Sequence, residues 1–353
     1  MRSFACVIVI LVLTFCAQHT LATVHWVHTQ SDFEDIVNDV TVIANGDTIR
    51  FDSGRFGAEL GPTDPHAFTW VIRQKDLTIE SANFAGIPRQ FHGSFDAQES
   101  ILSHVLIEFD PSVFDSMQMR INGMVFHHSC FREFKPTQPN SQWVFEHLII
   151  VTSNSPGNAV VGNFLVVSHQ SGDTLFDSQI VFRNNHFLSD RDKLTFSLAT
   201  VRQDTSVVSV QIDDCLFEHM VLSGNAEWDT VIVLNGIVRA IVSNTTIHGP
   251  GSNGVFVQGN NAFPPQSSDI TFDHITVTNC ISAFHAFVVT DDTILVVQNS
   301  QFLNFSSHAW ISYRSYHSLH FVNVTAETSP SHLQAFSDNV FSGCFFFEGA
   351  GTS

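Results

Sequence analysis

The chain has 353 residues, of which 44% are apolar and only 14% are charged, and its formal net charge at pH 7 is −19. A surface this acidic repels phosphate groups, which argues against nucleic acid and anionic lipid as partners. The apolar content is ample for the core of one large β domain or two ordinary domains.

The first residues have the three-part pattern of a secretory signal peptide. A basic start at Arg2 precedes the almost unbroken apolar run 4–16, and Thr20 and Ala22 place small residues at −3 and −1 of a cleavage site. The apolar run is shorter than the roughly 18 residues expected of a membrane-spanning helix. We therefore predict that residues 1–22 are removed and that the mature protein is secreted, with no membrane span.

The segment that follows, 23–45, is predicted to cap the body of the protein. A short helix is expected between Val24 and Val42, with Ser31–Glu34 as its capping-box start. The body itself is assigned to 46–347, and residues 348–353 to a C-terminal tail.

The body contains an internal repeat in which apolar and polar residues alternate and then close on an apolar residue. The clearest copies are spaced 24–30 residues apart: Ile180–Phe187, Val210–Phe217, Ala240–Ile247, Ile270–Val277, Leu295–Phe302 and Leu319–Ala326. Weaker copies are Ile49–Phe56, Thr78–Phe84, Ile121–Phe126 and Phe145–Ile150, and Phe336–Phe341 fits the motif but comes too soon for a full turn.

This period suits one coil of a β-helix, because a propeller blade would need roughly 40–50 residues. One unit cannot bury its own apolar face, so successive units must stack to form a continuous core. We therefore predict an all-β fold: a single-stranded, right-handed parallel β-helix (a solenoid) with a short N-terminal helical cap. The last coil would expose unpaired strand edges, to be closed either by continuation of a longer chain or by oligomerisation.

The alignment also predicts the direction of individual side chains. Three columns should point inward: Ile180, Val210, Ala240 and Ile270; Phe182, Ile212, Val242 and Phe272; and Phe187, Phe217, Ile247, Val277 and Phe302. Two residues after the second column comes a polar column: Asn184, Asp214, Asn244, His274, Asn299 and Asn323. Because Asn tolerates left-handed backbone, we interpret this column as a buried, hydrogen-bonded structural ladder at a tight corner; the alternative is a functional row of polar groups.

The ladder column affects which asparagine is predicted to carry a glycan. Acceptor sequons begin at Asn244, Asn304 and Asn323, and Asn304 is the predicted glycan site because the other two lie in the ladder.

Four cysteines follow the leader: Cys130, Cys215, Cys280 and Cys344. They are expected to be mostly buried free thiols, since the register separates Cys280 and Cys344 by several coils, which is too far for a disulfide.

The coil motif resembles the pectin-lyase-like superfamily of right-handed parallel β-helices, over roughly residues 40 to 345. The superfamily includes pectate lyases, polygalacturonases, uronan epimerases, phage tailspikes and surface proteins without known catalysis. Polygalacturonases usually carry Asn-Thr-Asp, Asp-Asp, Gly-His-Gly and Arg-Ile-Lys motifs. This chain has Asp213-Asp214 and His248-Gly249 but neither Asn-Thr-Asp nor Arg-Ile-Lys.

The weak candidates for catalysis lie in two outward columns and are Asp213, Arg239, Asp269 and Asp273. Adjacent coils there place Arg183 by Asp213 and Arg239 by Asp269, which predicts surface ion pairs. Asp213 and Asp273 are two coils apart, which is long for sharing calcium, so no cofactor is expected and calcium is only an alternative. No metal site is predicted, because adjacent strand residues such as His127 and His128 face opposite ways.

These observations predict a secreted, non-catalytic β-helix that binds extracellular polysaccharide or cell-surface glycan, or serves as an adhesive or structural rod. The alternative is a polysaccharide lyase, glycoside hydrolase or uronan epimerase acting in a groove on one outer face. Convergence of three carboxylates, or of two with an Arg or Lys, would favour the enzyme.

Overall fold

A computed structural model of the chain describes 22 segments, and every structural statement below refers to them. They are residues 22–39, 41–60, 67–74, 76–84, 97–110, 117–134, 141–152, 165–167, 177–189, 196–199, 207–219, 230–235, 239–249, 253–258, 269–280, 282–287, 294–304, 308–312, 318–327, 333–334, 339–342 and 344–347. The predicted leader, up to residue 21, and the predicted tail lie outside the described residues.

The described residues form a parallel β-helix, because every strand pairs in parallel with the strand one coil away. Sheet A has twelve strands: β1 (Val24–Val27), β2 (Asp47–Phe51), β5 (Asp76–Ser81), β8 (Gln118–Asn122), β11 (Gln142–Glu146), β14 (Asp177–Arg183), β17 (Val207–Asp213), β20 (Arg239–Ser243), β23 (Asp269–Asp273), β26 (Ile294–Gln298), β29 (Ser318–Val322) and β32 (Asn339–Ser342). Sheet B has eleven: β3 (Gly54–Gly57), β6 (Ser100–Ser103), β9 (Val125–His127), β12 (Ile149–Thr152), β15 (His186–Ser189), β18 (Leu216–His219), β21 (Thr246–His248), β24 (Thr276–Thr278), β27 (Gln301–Leu303), β30 (Thr325–Glu327) and β33 (Phe345–Phe347).

The third side of the solenoid is divided between two shorter sheets. Sheet C contains β4 (Phe68–Ile72), β7 (Val105–Phe109), β10 (Cys130–Phe134) and β13 (Leu165–Val167). Sheet D contains β16 (Phe196–Ala199), β19 (Thr230–Asn235), β22 (Asn253–Gln258), β25 (Ser282–Phe287), β28 (His308–Ser312) and β31 (Leu333–Gln334). Each coil therefore visits sheet A, sheet B and then sheet C or D. The right-handed winding expected of parallel crossovers stays a prediction.

The three inward columns are confirmed, since all thirteen side chains are buried and stand in register on paired strands. Phenylalanine rings of adjacent coils stack on each other. The distance between ring centroids is 4.4 Å for Phe187 and Phe217 and 4.9 Å for Phe145 and Phe182. Such offset stacks add to the free energy gained from burying apolar area.

The predicted corner between sheets A and B is present. All six ladder residues have left-handed backbone, with φ between 48° and 55°, and their N–H groups donate to carbonyls of the next coil, for example from Asn184 to Asp213 at 3.0 Å. The expectation that these side chains are buried is wrong for Asp214, Asn244, His274 and Asn323, which are exposed. The chain turns inward one residue later, so that the buried position is the next one along.

The same inward turn buries two cysteines. Cys215 follows the ladder residue Asp214, and Cys280 follows Asn279, which has left-handed backbone at the corner between sheets B and D. Both thiols are free, and burial raises the pKa of each to about 12. Cys344 is also free but only half-buried.

The N-terminal cap is a single short helix, α1 (Gln30–Asn38), preceded by the strand β1. The predicted start of the helix was two residues too late: Thr29 is the N-cap, and it forms a capping box with Asp32. Phe33 closes the end of the core, with its ring against a group of aromatic side chains: Phe51, Phe56, Phe68 and Trp70.

Two weak repeats were misaligned by the sequence pattern. Phe56 pairs with Leu102, not with Phe84, because additional residues lie between strands β5 and β6. Phe84 instead contacts the corner at Gly123: a Cβ atom on this glycine, whose φ is +69°, would lie 2.5 Å from the Phe84 Cβ. At the other end, Phe321 pairs with Phe341, so a 20-residue coil does close.

No helix among the described residues is long and apolar enough to cross a membrane.

Candidate functional site

The outer face of sheet A carries three columns of side chains, because alternate residues of a strand point away from the core. Strand register keeps each column aligned from β5 to β20. The first column is Asp76, Gln118, Gln142, Gln179, Ser209 and Arg239; the second is Thr78, Arg120, Val144, Val181, Gln211 and Ile241; the third is Glu80, Asn122, Glu146, Arg183, Asp213 and Ser243.

Two cavities of about 550 and 360 Å³ open on this face. They are lined in common by four amide side chains, Gln118, Gln142, Gln179 and Gln211. We call the combined depression the sheet A groove. It extends across six strands of sheet A, from β5 to β20, and therefore along the axis of the solenoid.

A row of glutamines follows one side of the groove. Gln118, Gln142 and Gln179 stand at the same register position on three consecutive coils, and Gln142 Nε2 donates to Gln179 Oε1 at 2.9 Å. Each amide has two N–H donors and a carbonyl acceptor. The row therefore offers donors and acceptors that repeat at the coil spacing of about 4.8 Å.

The centre of the groove contains apolar side chains. Val144 and Ile241 offer apolar area in the second column: Val144 is half-buried and Ile241 is 45% exposed, whereas Val181 is only 4% exposed and Gln211 separates it from Ile241. Apolar area among polar groups is the usual composition of a ligand site, where the polar groups orient the ligand and the apolar area contributes affinity.

An ion triad, Arg120, Glu146 and Arg183, lies on three consecutive coils: Glu146 and Arg183 stand in the third column, and Arg120 reaches Glu146 from the second. Glu146 Oε2 accepts from Arg120 Nη2 at 2.7 Å and from Arg120 Nε at 3.1 Å, and Glu146 Oε1 accepts from Arg183 Nη1 at 2.8 Å. All three residues line the smaller cavity. The predicted pair of Arg183 with Asp213 is therefore wrong: the two are in register, but Arg183 turns to the preceding coil.

Of the four candidate catalytic residues, Arg239 alone lines the groove, whereas two other carboxylates, Asp76 and Glu146, line its smaller cavity together with Arg120 and Arg183. Asp213 Oδ1 accepts from Ser243 Oγ at 2.7 Å and from Asn244 Nδ2 at 3.0 Å, and Asp273 Oδ1 accepts from Asn299 Nδ2 at 2.9 Å. Arg239 and Asp269 are register partners, and both are exposed. Hydrogen bonds to neighbouring coils give Asp213 and Asp273 structural roles at the corner.

Three histidines meet at the corner between sheets B and C, a cluster that the sequence did not indicate because its members come from two coils. The ring centroids of His127 and His128 lie 3.9 Å apart, and His104 lies 5.1 Å from His128. The expectation that His127 and His128 face opposite ways is therefore wrong, because His128 follows the strand and has left-handed backbone at the corner. Burial lowers the pKa of His127 to about 4. No group of three or more His, Cys, Asp and Glu side chains in the described part of the chain is arranged to hold a metal ion.

The three sequon asparagines all lie at left-handed corners and are exposed. Asn304, which was expected to lie outside any ladder, belongs to a second corner column that includes His104, His128 and Asn279. Asn323 Nδ2 donates to Asn299 Oδ1 at 3.1 Å. Because all three side chains are exposed, burial gives no reason to prefer Asn304 over Asn244 and Asn323 as the glycan site. Glycosylation at each of them stays a prediction.

No protein-family model matches the chain, and no curated protein matches it significantly. The functional argument therefore depends on the geometry of the sheet A groove.

Proposed function

We propose that the protein is a secreted, non-catalytic carbohydrate-binding β-helix of the pectin-lyase-like type, and that its glycan lies in the sheet A groove. The observation that carries this proposal is the row of Gln118, Gln142 and Gln179 in register, beside the apolar side chains of Val144 and Ile241. Sugar hydroxyls both donate and accept hydrogen bonds, as the amides do. The C–H faces of the sugar rings would cover Val144 and Ile241 and remove apolar area from water.

The test is retention on insoluble cellulose, chitin and xylan, followed by calorimetric titration with soluble fragments of whichever polymer binds. The double variant Gln142→Ala/Gln179→Ala should weaken binding roughly tenfold or more, since each lost hydrogen bond contributes about 1 kcal/mol. The matched control is Gln301→Ala, an exposed glutamine on sheet B, which should bind as the wild type does.

Two results would contradict the proposal. One is the absence of retention on every polymer; the other is equal binding by the double variant and the wild type. Release of reducing or unsaturated ends from uronic-acid polymers would favour the enzyme alternative instead.

A further inference from the structure

The ion triad of the sheet A groove has an unusual distribution of burial. The Glu146 side chain is only 8% exposed, whereas the side chains of Arg120 and Arg183 are 57% and 42% exposed. A carboxylate this deeply buried needs partners that compensate for its lost hydration. The two guanidinium groups supply this compensation from the groove side. Each guanidinium group is therefore held in place by the Glu146 carboxylate beneath it, which acts as its anchor.

The anchor leaves hydrogen-bonding capacity unused. A guanidinium group has five N–H donors in a rigid planar fork, and Glu146 engages two nitrogens of Arg120 and one of Arg183. The remaining donors belong to exposed groups that line the 360 Å³ cavity. Two planar forks fixed by one carboxylate form a preorganised receptor for an oxyanion, because little side-chain entropy is lost when the anion binds.

The charge of the triad points the same way. Two arginines and one glutamate sum to +1, in a chain whose formal net charge is −19. A cleft with low-dielectric walls concentrates such a local charge on a bound group. At physiological salt only charges within about 8 Å act strongly. The carboxylates beside the triad include Asp76, which lines the same cavity, and Asp213, which is in register with Arg183, and they would repel further anionic groups of a polyanionic ligand.

We propose that Arg120 and Arg183 form an oxyanion subsite of the groove, which takes a single sulfate ester or carboxylate on an otherwise neutral glycan. This inference rests on the proposed function, because it places the anionic group on the glycan that occupies the groove. Glu146 is a positioning residue that holds both guanidinium groups toward the cavity. Selectivity for one anionic group thus arises from two guanidinium groups, on β8 and β14, that are held by one carboxylate on β11.

The test compares cellotetraose, cellotetraose carrying one 6-sulfate, the tetramer of galacturonate, and inorganic sulfate as ligands in calorimetric titrations. The wild type should bind the monosulfated tetrasaccharide at least tenfold more tightly than cellotetraose and the galacturonate tetramer. Arg120→Gln and Arg183→Gln should each reduce this preference to less than threefold. Raising the salt concentration should weaken only the charged ligand.

The matched control is Arg50→Gln. Arg50 lies in the third column on β2, outside both cavities, and its Nε donates to Glu80 at 2.7 Å. The control also loses an ion pair between coils, so it reports any general effect of removing such a pair. Arg183→Lys keeps the charge but not the fork, and it should bind the sulfated ligand at an intermediate level.

The possible results separate this inference from the proposed function. If cellotetraose and its sulfated form bind equally, the subsite is overturned and the glycan function stands. If inorganic sulfate binds the wild type but not the two arginine variants, and no glycan binds, the subsite stands and the glycan function fails. If Arg50→Gln loses as much preference as Arg183→Gln, or if no anionic ligand binds, the subsite is overturned.

Discussion

The coils from β2 to β13 and those from β14 to β25 share one three-sided plan but differ in regularity. In the second region the core position advances by 30 residues per coil, through Phe182, Ile212, Val242 and Phe272. In the first region the steps are unequal and pass through Ile49, Ile79, Ile121 and Phe145. The sheet register is nevertheless continuous across both regions, so loop length varies without disturbing the stacked core.

The two regions also differ in what their outer faces carry. In the regular coils, Asp213 and Asp273 are hydrogen-bonded to polar side chains of neighbouring coils. The sheet A groove crosses the boundary between the two regions: β5, β8 and β11 belong to the irregular coils, and β14, β17 and β20 to the regular ones. Its ion triad joins Arg120 and Glu146 of the irregular coils to Arg183 of the first regular coil, so it forms where coils of unequal length meet.

The largest effect that would test this contrast is expected at the N-terminal end of the irregular region. Phe33→Ala removes the aromatic plug from the core and should lower the free energy of unfolding by about 3–5 kcal/mol. Urea denaturation measures the change, and Asp35→Ala, an exposed position on the same helix, is the control. Equal midpoints for the two variants would show that the cap does not support the irregular coils.

A smaller effect is expected where an inserted segment meets a corner of the irregular region. Gly123→Ala places a Cβ atom against Phe84 on left-handed backbone and should cost about 1–3 kcal/mol through overpacking. The double variant Phe84→Gly/Gly123→Ala should be less destabilised than the sum of the two single variants, since both the Cβ and the ring of Phe84 that the new Cβ would meet are then absent. Thermal unfolding of all three proteins measures this coupling, and strict additivity would contradict the contact.

The corner of the regular region can be tested at Asn244, where φ is 48°. Asn244→Val places a β-branched residue on left-handed backbone and should cost about 1–2 kcal/mol. Asn244→Gly meets no such steric cost and should stay closer to the wild type. The comparison uses denaturant midpoints, and equal loss in both variants would mean that the Asn244 side chain, not its backbone, supports the corner.

The last test concerns the pH dependence of stability, not its value at neutral pH, and the histidine cluster of the irregular region. His127 has a pKa of about 4 in the folded protein, below its ordinary value of 6.5, so the unfolded chain binds more protons between these values. Stability is therefore full above pH 6.5 and falls as the pH decreases toward 4. His127→Gln should flatten this part of the curve of unfolding free energy against pH; an unchanged slope would assign the dependence to other groups.

The sequence allowed part of the candidate site to be located but not its chemistry. It placed Arg183, Asp213 and Arg239 in outward columns, and the structure agrees with that placement. It did not indicate the partner of Arg183, because Glu146 lies 37 residues earlier in a coil of unequal length. A repeat of constant length predicts which residues of adjacent coils are neighbours. Where coil lengths differ, the sequence pattern does not indicate which residues are in contact.

The sequence by itself determined the parallel β-helix, the three inward columns and the left-handed corner, because identical positions in stacked coils meet the same physical environment. Local backbone chemistry sufficed for these features: alternation defines a strand, and Asn marks a corner. Only the tertiary structure decided which coils are neighbours where loop lengths differ, that the ladder side chains are exposed, and that Arg120, Glu146 and Arg183 share one groove. Those features depend on distances between segments far apart in the chain, which side-chain pattern alone does not encode.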